Sequence, residues 1–205
     1  MNNIVKTTSQ NEFVKIVCEK IKDESLKKIK EKGNFTLVLA GGQTPKIIFN
    51  ELVLNYEKNI EWSKTSLFWI DERCVEPIDV NSNFKLAYDH LISKLKTVGS
   101  IHRIKGEIEE NKAAKEYQEE LLNFFNTKEI RFDFALLGMG RDGHVASLFP
   151  KSEEIKKRND LVLVTNKTYN GFKRITMGLD LINRINYKLL LVIGKDKFKT
   201  LVSKD

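Results

Sequence analysis

The sequence is poor in cysteine and has no long apolar run. Among its 205 residues the only cysteines are Cys18 and Cys74, which give neither a disulfide framework nor a metal-ligand spacing and suit a reducing compartment. No apolar stretch approaches the roughly 20 residues of a membrane span, and the opening segment MNNIVKTTSQ lacks the apolar core of a signal peptide. We therefore expect a cytoplasmic protein that binds neither a membrane nor a metal ion.

The charge is positive but dispersed. Thirty-five basic and 28 acidic residues give a net charge of +7, which by itself is compatible with nucleic-acid binding. Lysines, however, alternate with acidic residues, as in residues 20–28, and no basic stripe is interleaved with aromatic side chains. We expect no nucleic-acid partner, whereas a small anionic substrate fits the same charge.

Short apolar runs alternate with segments of helical periodicity. Strands are predicted at 35–40, 65–70, 101–104, 132–137, 161–164 and 187–193. Helices are predicted at 9–32, 45–56, 83–95, 109–125 and from about 194. This alternation predicts an α/β fold with a mainly parallel sheet. No repeat, linker or low-complexity segment interrupts residues 1–205, so we expect a single domain.

The stretch FDFALLGMGRDGHVASLFP at 132–150 carries the most chemistry. A buried strand ends there in a turn with three glycines, and ligands bind at the carboxyl ends of strands in open α/β sheets. A histidine such as His144 takes and returns protons near neutral pH, and Asp142 either fixes its tautomer or positions a substrate group. From these residues alone, a structural histidine is an equally good interpretation.

Two other strand ends carry polar groups. The segment AGGQTP at 40–45 lies between a strand and a helix, where free backbone N–H groups and the hydroxyl of Thr44 are suited to a phosphate. Asp71, Glu72 and Arg73 follow the strand at 65–70. These charges either face solvent or belong to a site.

A dinucleotide site is the alternative for the glycine turn. The spacing from Gly138 to Gly143 matches the G-x-G-x-x-G pattern. The pattern falls too late in the chain, however, and Asp142 would face a pyrophosphate, so we expect no nicotinamide cofactor. His90 and His102 lie outside any loop motif, and we interpret both as structural.

Taken together, these motifs resemble the 6-phosphogluconolactonases, within the larger family that includes the glucosamine-6-phosphate isomerases. The resemblance covers nearly the whole chain and is carried, in the family's order, by AGGQTP, WIDER with the later NSN, GMGRDGH with ASLFP, NGFKRITM and GKDK. It implies a Rossmann-like α/β fold with helices on both faces of the sheet. It also implies hydrolysis of 6-phosphoglucono-δ-lactone without cofactor or metal.

The resemblance assigns roles to individual residues. His144 is expected to be the general base, Arg73 to hold the oxyanion, and Asp71 and Asp142 to hold sugar hydroxyls or His144. The expected phosphate-binding residues are Gly41, Gly42, Thr44, Arg174 and Lys197. The choice of Lys197 over Lys195 and Lys199 follows the family pattern alone.

Alternatives remain within the resemblance. The isomerase branch has a glutamate after the histidine and a tyrosine in place of Arg73, so both positions favour the lactonase branch. A non-catalytic phosphosugar-binding protein is the other alternative, because Ala40 replaces the family's usual serine and relatives commonly extend beyond the point matching Asp205. We expect a monomer or a weak homo-oligomer.

Overall fold

The computed structural model describes residues 4–127 and 129–202, which form two sheets and their helices. In chain order the elements are α1 (Gln10–Lys32), β1 (Phe35–Leu39), α2 (Gln43–Tyr56), β2 (Thr65–Trp69), β3 (Asp71–Arg73), α3 (Asn83–His90), β4 (Ser100–His102), α4 (Glu110–Phe125), β5 (Phe134–Gly138), β6 (Val162–Val164), β7 (Arg174–Met177), α5 (Leu179–Asn183), β8 (Tyr187–Leu191) and α6 (Lys195–Val202). Short 3₁₀ turns lie between several of them.

The larger sheet is parallel and has the strand order β4-β2-β1-β5-β8. All five residues of β1 and of β2 are buried, because a parallel sheet covered on both faces needs continuous apolar strands rather than alternating ones. The prediction of a mainly parallel, Rossmann-like sheet is confirmed.

Helices cover both faces of this sheet. Successive residues of a strand point to opposite faces, and in β2 the Phe68 ring packs on Phe124 of α4, with 5.0 Å between centroids. The next residue, Trp69, packs on Phe84 of α3 at 5.4 Å. The chain runs outward from β1 through β2 to β4 and then returns to β5 on the other side of β1, and α4, which follows this reversal, lies on the face opposite α3.

The first helix begins and ends where its sequence predicts. Ser9 is the N-cap, and its side chain accepts a hydrogen bond from the backbone N–H of Glu12. Gly33 ends the helix in the left-handed region at φ +83°, where its N–H bonds the carbonyl of Ile29. The third helix is shorter than predicted: α3 stops at His90, because the backbone of Leu91 leaves the helical region and a 3₁₀ turn follows.

A second, antiparallel sheet of order β3-β7-β6 was not predicted as a separate unit. Ile70 joins the two sheets: its N–H donates to the carbonyl of Leu39 in the parallel sheet, and its carbonyl accepts from Met177 of β7. The charged residues after β2 therefore form a strand rather than an open turn. This arrangement carries β3 past the carboxyl edge of the parallel sheet.

Neither cysteine forms a disulfide. Burial raises the pKa of Cys18 to about 12 and that of Cys74 to about 11, with nearby carboxylates adding to both shifts. Within residues 4–127 and 129–202, none of the helices combines the length and apolar character needed to cross a membrane.

A buried carboxylate fixes the amino ends of β1 and β5. Asp133 Oδ2 accepts hydrogen bonds from the backbone N–H and the hydroxyl of Thr36, each at 2.9 Å. The Thr36 hydroxyl in turn accepts from the N–H of Asp133 at 2.8 Å, and Lys32 Nζ lies 2.9 Å from the same carboxylate. One side chain thus ties the end of α1 to two central strands.

We predict that Thr36→Val lowers the free energy of unfolding by about 1–3 kcal/mol, because it leaves buried polar groups of Asp133 without their partner. Urea denaturation measures the change. Thr36→Ser is the matched control, since it keeps the hydroxyl, and it should lose less. A Thr36→Val protein as stable as the wild type would contradict this account of the sheet.

Candidate active site

The loop after β5 holds His144 in a defined position. The carbonyl of His144 accepts from the N–H of Gly140 at 2.8 Å, and Gly143, at φ +88°, turns the chain between them. A Cβ on Gly140 would lie 2.2 Å from His144 Nδ1, so this position has no room for a side chain. The glycines therefore allow the backbone of the loop to pack closely against the His144 side chain.

His144 and Asp142 form a hydrogen-bonded pair. His144 Nδ1 lies 2.6 Å from Asp142 Oδ1. Burial raises the pKa of Asp142, but the hydrogen bond and charge of His144 oppose it, and the net pKa lies below the ordinary value. An ionised carboxylate only accepts hydrogen bonds, so Nδ1 is the donor in this pair, and in the neutral imidazole the lone pair is then on Nε2. The arrangement is suited to proton transfer at Nε2.

Two arginines stand opposite each other in the antiparallel sheet. Arg73 of β3 and Arg174 of β7 are direct cross-strand partners. Arg174 is 5 % exposed, and its pKa is lowered first by burial and then by the charge of Arg73, against the opposing effect of Asp71 and Glu72. The strand register therefore places two guanidinium groups at neighbouring positions of one sheet.

Each guanidinium keeps donor capacity. Arg73 Nη1 donates to the carbonyl of Asn81 at 2.6 Å, and Arg174 Nη2 donates to that of Tyr169 at 3.3 Å. In the described part of the chain, the Nε atoms of both arginines are buried without a hydrogen-bond partner. Buried donors of this kind are normally satisfied, so these two donors are suited to an anionic ligand.

One aromatic ring, that of Phe149, connects His144 to Arg174. The Phe149 ring lies 4.4 Å from that of His144 between centroids, and the Arg174 guanidinium lies 5.7 Å from its centroid. Tyr169 stacks on Phe149 at 3.5 Å. Phe149 therefore brings the loop after β5 and strand β7 into one site. Its place in the ASLFP motif was visible in the sequence, but the role of Tyr169 was not.

Asp71 lies at the centre of the buried polar contacts. It is 5 % exposed, and its Oδ2 accepts from the hydroxyl of Ser147 at 2.6 Å. Asn83 Nδ2 donates to the backbone carbonyl of Asp71 at 2.8 Å and approaches its Oδ1 at 3.3 Å. Sequence reasoning identified Asp71 but neither of its partners.

Glu72 has a different role from its two neighbours. Its buried carboxylate accepts from the backbone N–H groups of Arg73, Asn83 and Phe84 and from the hydroxyl of Ser82. Burial raises the pKa of Glu72, and these hydrogen bonds oppose the shift. Glu72 thus satisfies the first N–H groups of α3, as an acidic group at a helix N-terminus does.

The predicted phosphate-binding residues lie at the start of α2, on β7 and in α6. Gly42, at φ +101°, is the N-cap of α2, and Thr44 is half-buried in the first turn of that helix. Lys197 is in the first turn of α6, which contacts the histidine loop through a 2.9 Å hydrogen bond from Thr200 to the carbonyl of Arg141. Since β1, β5 and β8 are neighbours, these helix starts lie at one edge of the sheet.

The structure links some predicted residues and leaves others apart. His144, Asp142, Arg73 and Arg174 are connected through direct contacts and Phe149. Within the described residues, no hydrogen bond or ion pair joins Lys197 to Arg174 or to Gly41, Gly42 and Thr44. Phosphate binding by these residues stays a prediction. In the part of the chain that the structure describes, no group of three or more acidic, histidine or cysteine side chains is arranged to hold a metal ion.

The fold and the site define an α/β protein with a histidine–carboxylate pair and an arginine pair beyond the carboxyl edge of its parallel sheet. A family model described as glucosamine-6-phosphate isomerases/6-phosphogluconolactonase matches residues 8–203. The chain therefore belongs to this family, as the sequence motifs predicted.

Individual relatives carry lactonase names. The chain is 39% identical over 183 residues to the probable 6-phosphogluconolactonase 4 of Arabidopsis thaliana, covering 82% of this chain and 70% of that protein. It is 33% identical to the 6-phosphogluconolactonase of Treponema pallidum, with the same coverage. The crystal structure of 6-phosphogluconolactonase from Thermotoga maritima matches with a TM-score of 0.81 at 33% identity, covering 92% of this chain and 83% of that one.

We predict that Gly41→Ala destabilises the fold by about 1–3 kcal/mol through overpacking, because the new Cβ would lie 1.7 Å from Asn83 Oδ1. Gly138→Ala is the control, since its Cβ would meet nothing closer than 3.9 Å. Thermal unfolding of both variants tests the difference. Equal stability of the two would mean that Asn83 does not occupy the space beside Gly41.

Proposed function

We propose that this protein hydrolyses 6-phospho-D-glucono-1,5-lactone to 6-phosphogluconate. The observation that carries the proposal is the contact of the His144–Asp142 pair and the Arg174 guanidinium with one ring, Phe149. A base and a cationic site are thereby held side by side, as an ester linked to a phosphate requires. The names of the Arabidopsis, Treponema and Thermotoga relatives support the same reaction.

In the proposed reaction, His144 acts as general base. Nε2 takes a proton from a water molecule, whose oxygen forms a bond to the lactone carbonyl carbon, and the carbonyl electrons move to its oxygen. When this intermediate collapses, the carbonyl reforms and the bond to the ring oxygen breaks. The protonated His144 then returns its proton to that oxygen. Asp142 stays ionised throughout and keeps the imidazole in the required tautomer.

The arginines supply positive charge for the substrate phosphate and for the oxyanion that forms during the reaction. Arg73 stabilises the oxyanion, since a guanidinium offers aligned donors to a developing negative oxygen. Arg174 binds the phosphate together with Gly41, Gly42, Thr44 and Lys197. Because Arg73 and Arg174 are cross-strand partners, the oxyanion and the phosphate would be bound at neighbouring positions.

The remaining parts of the proposal concern the protein as a whole. Residues 1–205 act as one lactonase domain, as a monomer or weak homo-oligomer in the cytoplasm. The reaction uses no cofactor and no metal, because the histidine pair provides the base and the arginines provide the charge. Asp71 is buried and hydrogen-bonds Ser147 and Asn83, so it does not act as an exposed acid.

We predict that the wild type opens fresh lactone faster than the protein-free blank, and that His144→Ala lowers kcat/KM by about 10²- to 10⁴-fold, the usual contribution of a general base. A pH-stat assay measures acid release against the blank, because this lactone also opens spontaneously. His90→Ala is the matched control: His90 contacts Asn50 on the protein surface and should not affect the rate.

Two outcomes would count against the proposal. Full activity of His144→Ala would show that another group is the base. A folded wild type that only matches the blank would remove lactonase activity altogether. Release of ammonia from glucosamine 6-phosphate would then support the isomerase alternative, and phosphosugar binding without turnover the non-catalytic one.

We predict that Arg174→Gln raises KM by about 10- to 100-fold, since it removes charge-assisted hydrogen bonds to phosphate. Its melting temperature should stay level or rise, because the change also removes like-charge repulsion with Arg73. Steady-state kinetics and calorimetry test the two effects separately. Arg158→Gln is the control, as Arg158 pairs with Asp180 at the surface. An unchanged KM would exclude Arg174 from the phosphate site.

A further inference from the structure

Asp71 is contacted from two sides by residues that have no role so far. Ser147 reaches it from the loop that carries His144, and Asn83 reaches it from the first turn of α3. The carboxylate is buried, and one of its oxygens bonds Ser147 while Asn83 approaches the other. Asp71 is therefore a junction between separate parts of the site.

Ser147 fixes the histidine loop. It is fully buried, three residues after His144. Its hydroxyl donates to Asp71 Oδ2 at 2.6 Å, and its backbone N–H donates to the Thr176 hydroxyl at 3.3 Å. Both partners belong to the antiparallel sheet that carries Arg73 and Arg174. Ser147 thus holds the loop to the arginine sheet by one side-chain and one backbone contact.

Asn83 fixes the turn after β1. It is 2 % exposed, and its Nδ2 donates to Asp71. Its Oδ1 faces Gly41 so closely that a Cβ there would lie 1.7 Å away. This oxygen is buried without a hydrogen-bond partner among the described residues. Asn83 therefore occupies the space between Asp71 and the proposed phosphate turn.

We infer that Ser147 and Asn83 are positioning residues, which act through Asp71 to set the separation between the phosphate-binding turn and the His144 base. The inference rests on the proposed function, because that function assigns the turn and the base. Neither side chain needs to touch the substrate. A connected chain of contacts runs from Gly41 through Asn83, Asp71 and Ser147 to the histidine loop.

The two residues should affect different kinetic constants. Removing the Ser147 hydroxyl frees the loop that carries the base but leaves the turn supported by Asn83, so kcat should fall while KM changes little. Removing the Asn83 amide leaves a gap beside Gly41, so the turn loses its support and KM should rise. Misplacement of reacting groups by about 1 Å costs on the order of 10²-fold in rate.

The experiment compares kcat and KM for Ser147→Ala and Asn83→Ala. We expect kcat to fall about 10- to 100-fold in the first and KM to rise about 10-fold in the second. Ser25→Ala is the matched control, because Ser25 is also fully buried and donates a single 2.7 Å hydrogen bond, within α1. Ser25→Ala should keep the wild-type kcat and KM, although its free energy of unfolding should fall by an amount similar to that in Ser147→Ala.

A double-mutant cycle tests the route through Asp71. If Ser147 acts through this carboxylate, adding Ser147→Ala to Asp71→Asn should lower kcat much less than it does in the wild type. Additive losses would overturn the inference. Wild-type constants in both single variants, or equal losses in kcat and KM for both, would overturn it as well.

A binding measurement separates this inference from the proposed function. Titration calorimetry gives the affinity for 6-phosphogluconate without turnover, and we expect it to fall in Asn83→Ala but not in Ser147→Ala. If the wild type binds this ligand but opens no lactone, the proposed function fails, and the role of Ser147 in catalysis fails with it. The role of Asn83 is then decided by the difference in affinity between the wild type and Asn83→Ala. A wild type that neither binds nor hydrolyses overturns both.

Discussion

The register of β3 against β7 places Arg73 directly opposite Arg174, and the site depends on this placement. Like charges opposite each other across an antiparallel pair destabilise it. The adjacent carboxylates only partly compensate, since Asp71 bonds Ser147 and Glu72 bonds the start of α3. The site therefore keeps positive charge that a bound anion can neutralise. Without the anion, repulsion between the two arginines destabilises the fold, and other contacts compensate for it.

The offset comes from two kinds of contact around the arginines. Aromatic packing covers the Arg174 guanidinium, because Phe149 lies under it and Tyr169 stacks on Phe149. Backbone hydrogen bonds through Ile70 tie the small sheet to the large one, so β3 and β7 cannot move apart without disturbing β1. Rigid attachment of this kind is what holds like charges together in a folded chain.

The sequence predicted the parallel sheet and the first helix because their signals are local. The five-residue runs FTLVL and TSLFW are wholly buried, and Ser9 and Gly33 cap α1. A strand at 161–164 was predicted, but its place in an antiparallel sheet was not, because β3 and β7 have only three and four residues and β3 pairs with a strand far along the chain. No local pattern indicates such pairing.

The same reason explains which residues of the candidate site the sequence indicated. His144, Asp142, Arg73 and Arg174 stand in recognisable motifs, whereas the contact of Ser147 with Asp71 joins positions 76 residues apart. The role of Asn83 depends on its distance from Gly41, a property of the folded chain alone.

The segment Asp71–Arg73 shows how one strand gives consecutive charges different roles. Successive side chains of a strand point to opposite faces, so Asp71 and Arg73 share one face and Glu72 lies on the other. The shared face meets the histidine loop and Arg174, while Glu72 meets the N-terminus of α3. Since α3 begins at Asn83, the helix that Glu72 caps is also the helix that contacts Asp71 from its other side. Capping and positioning are thus coupled: the carboxylate that fixes the start of α3 also fixes the amide that reaches Gly41.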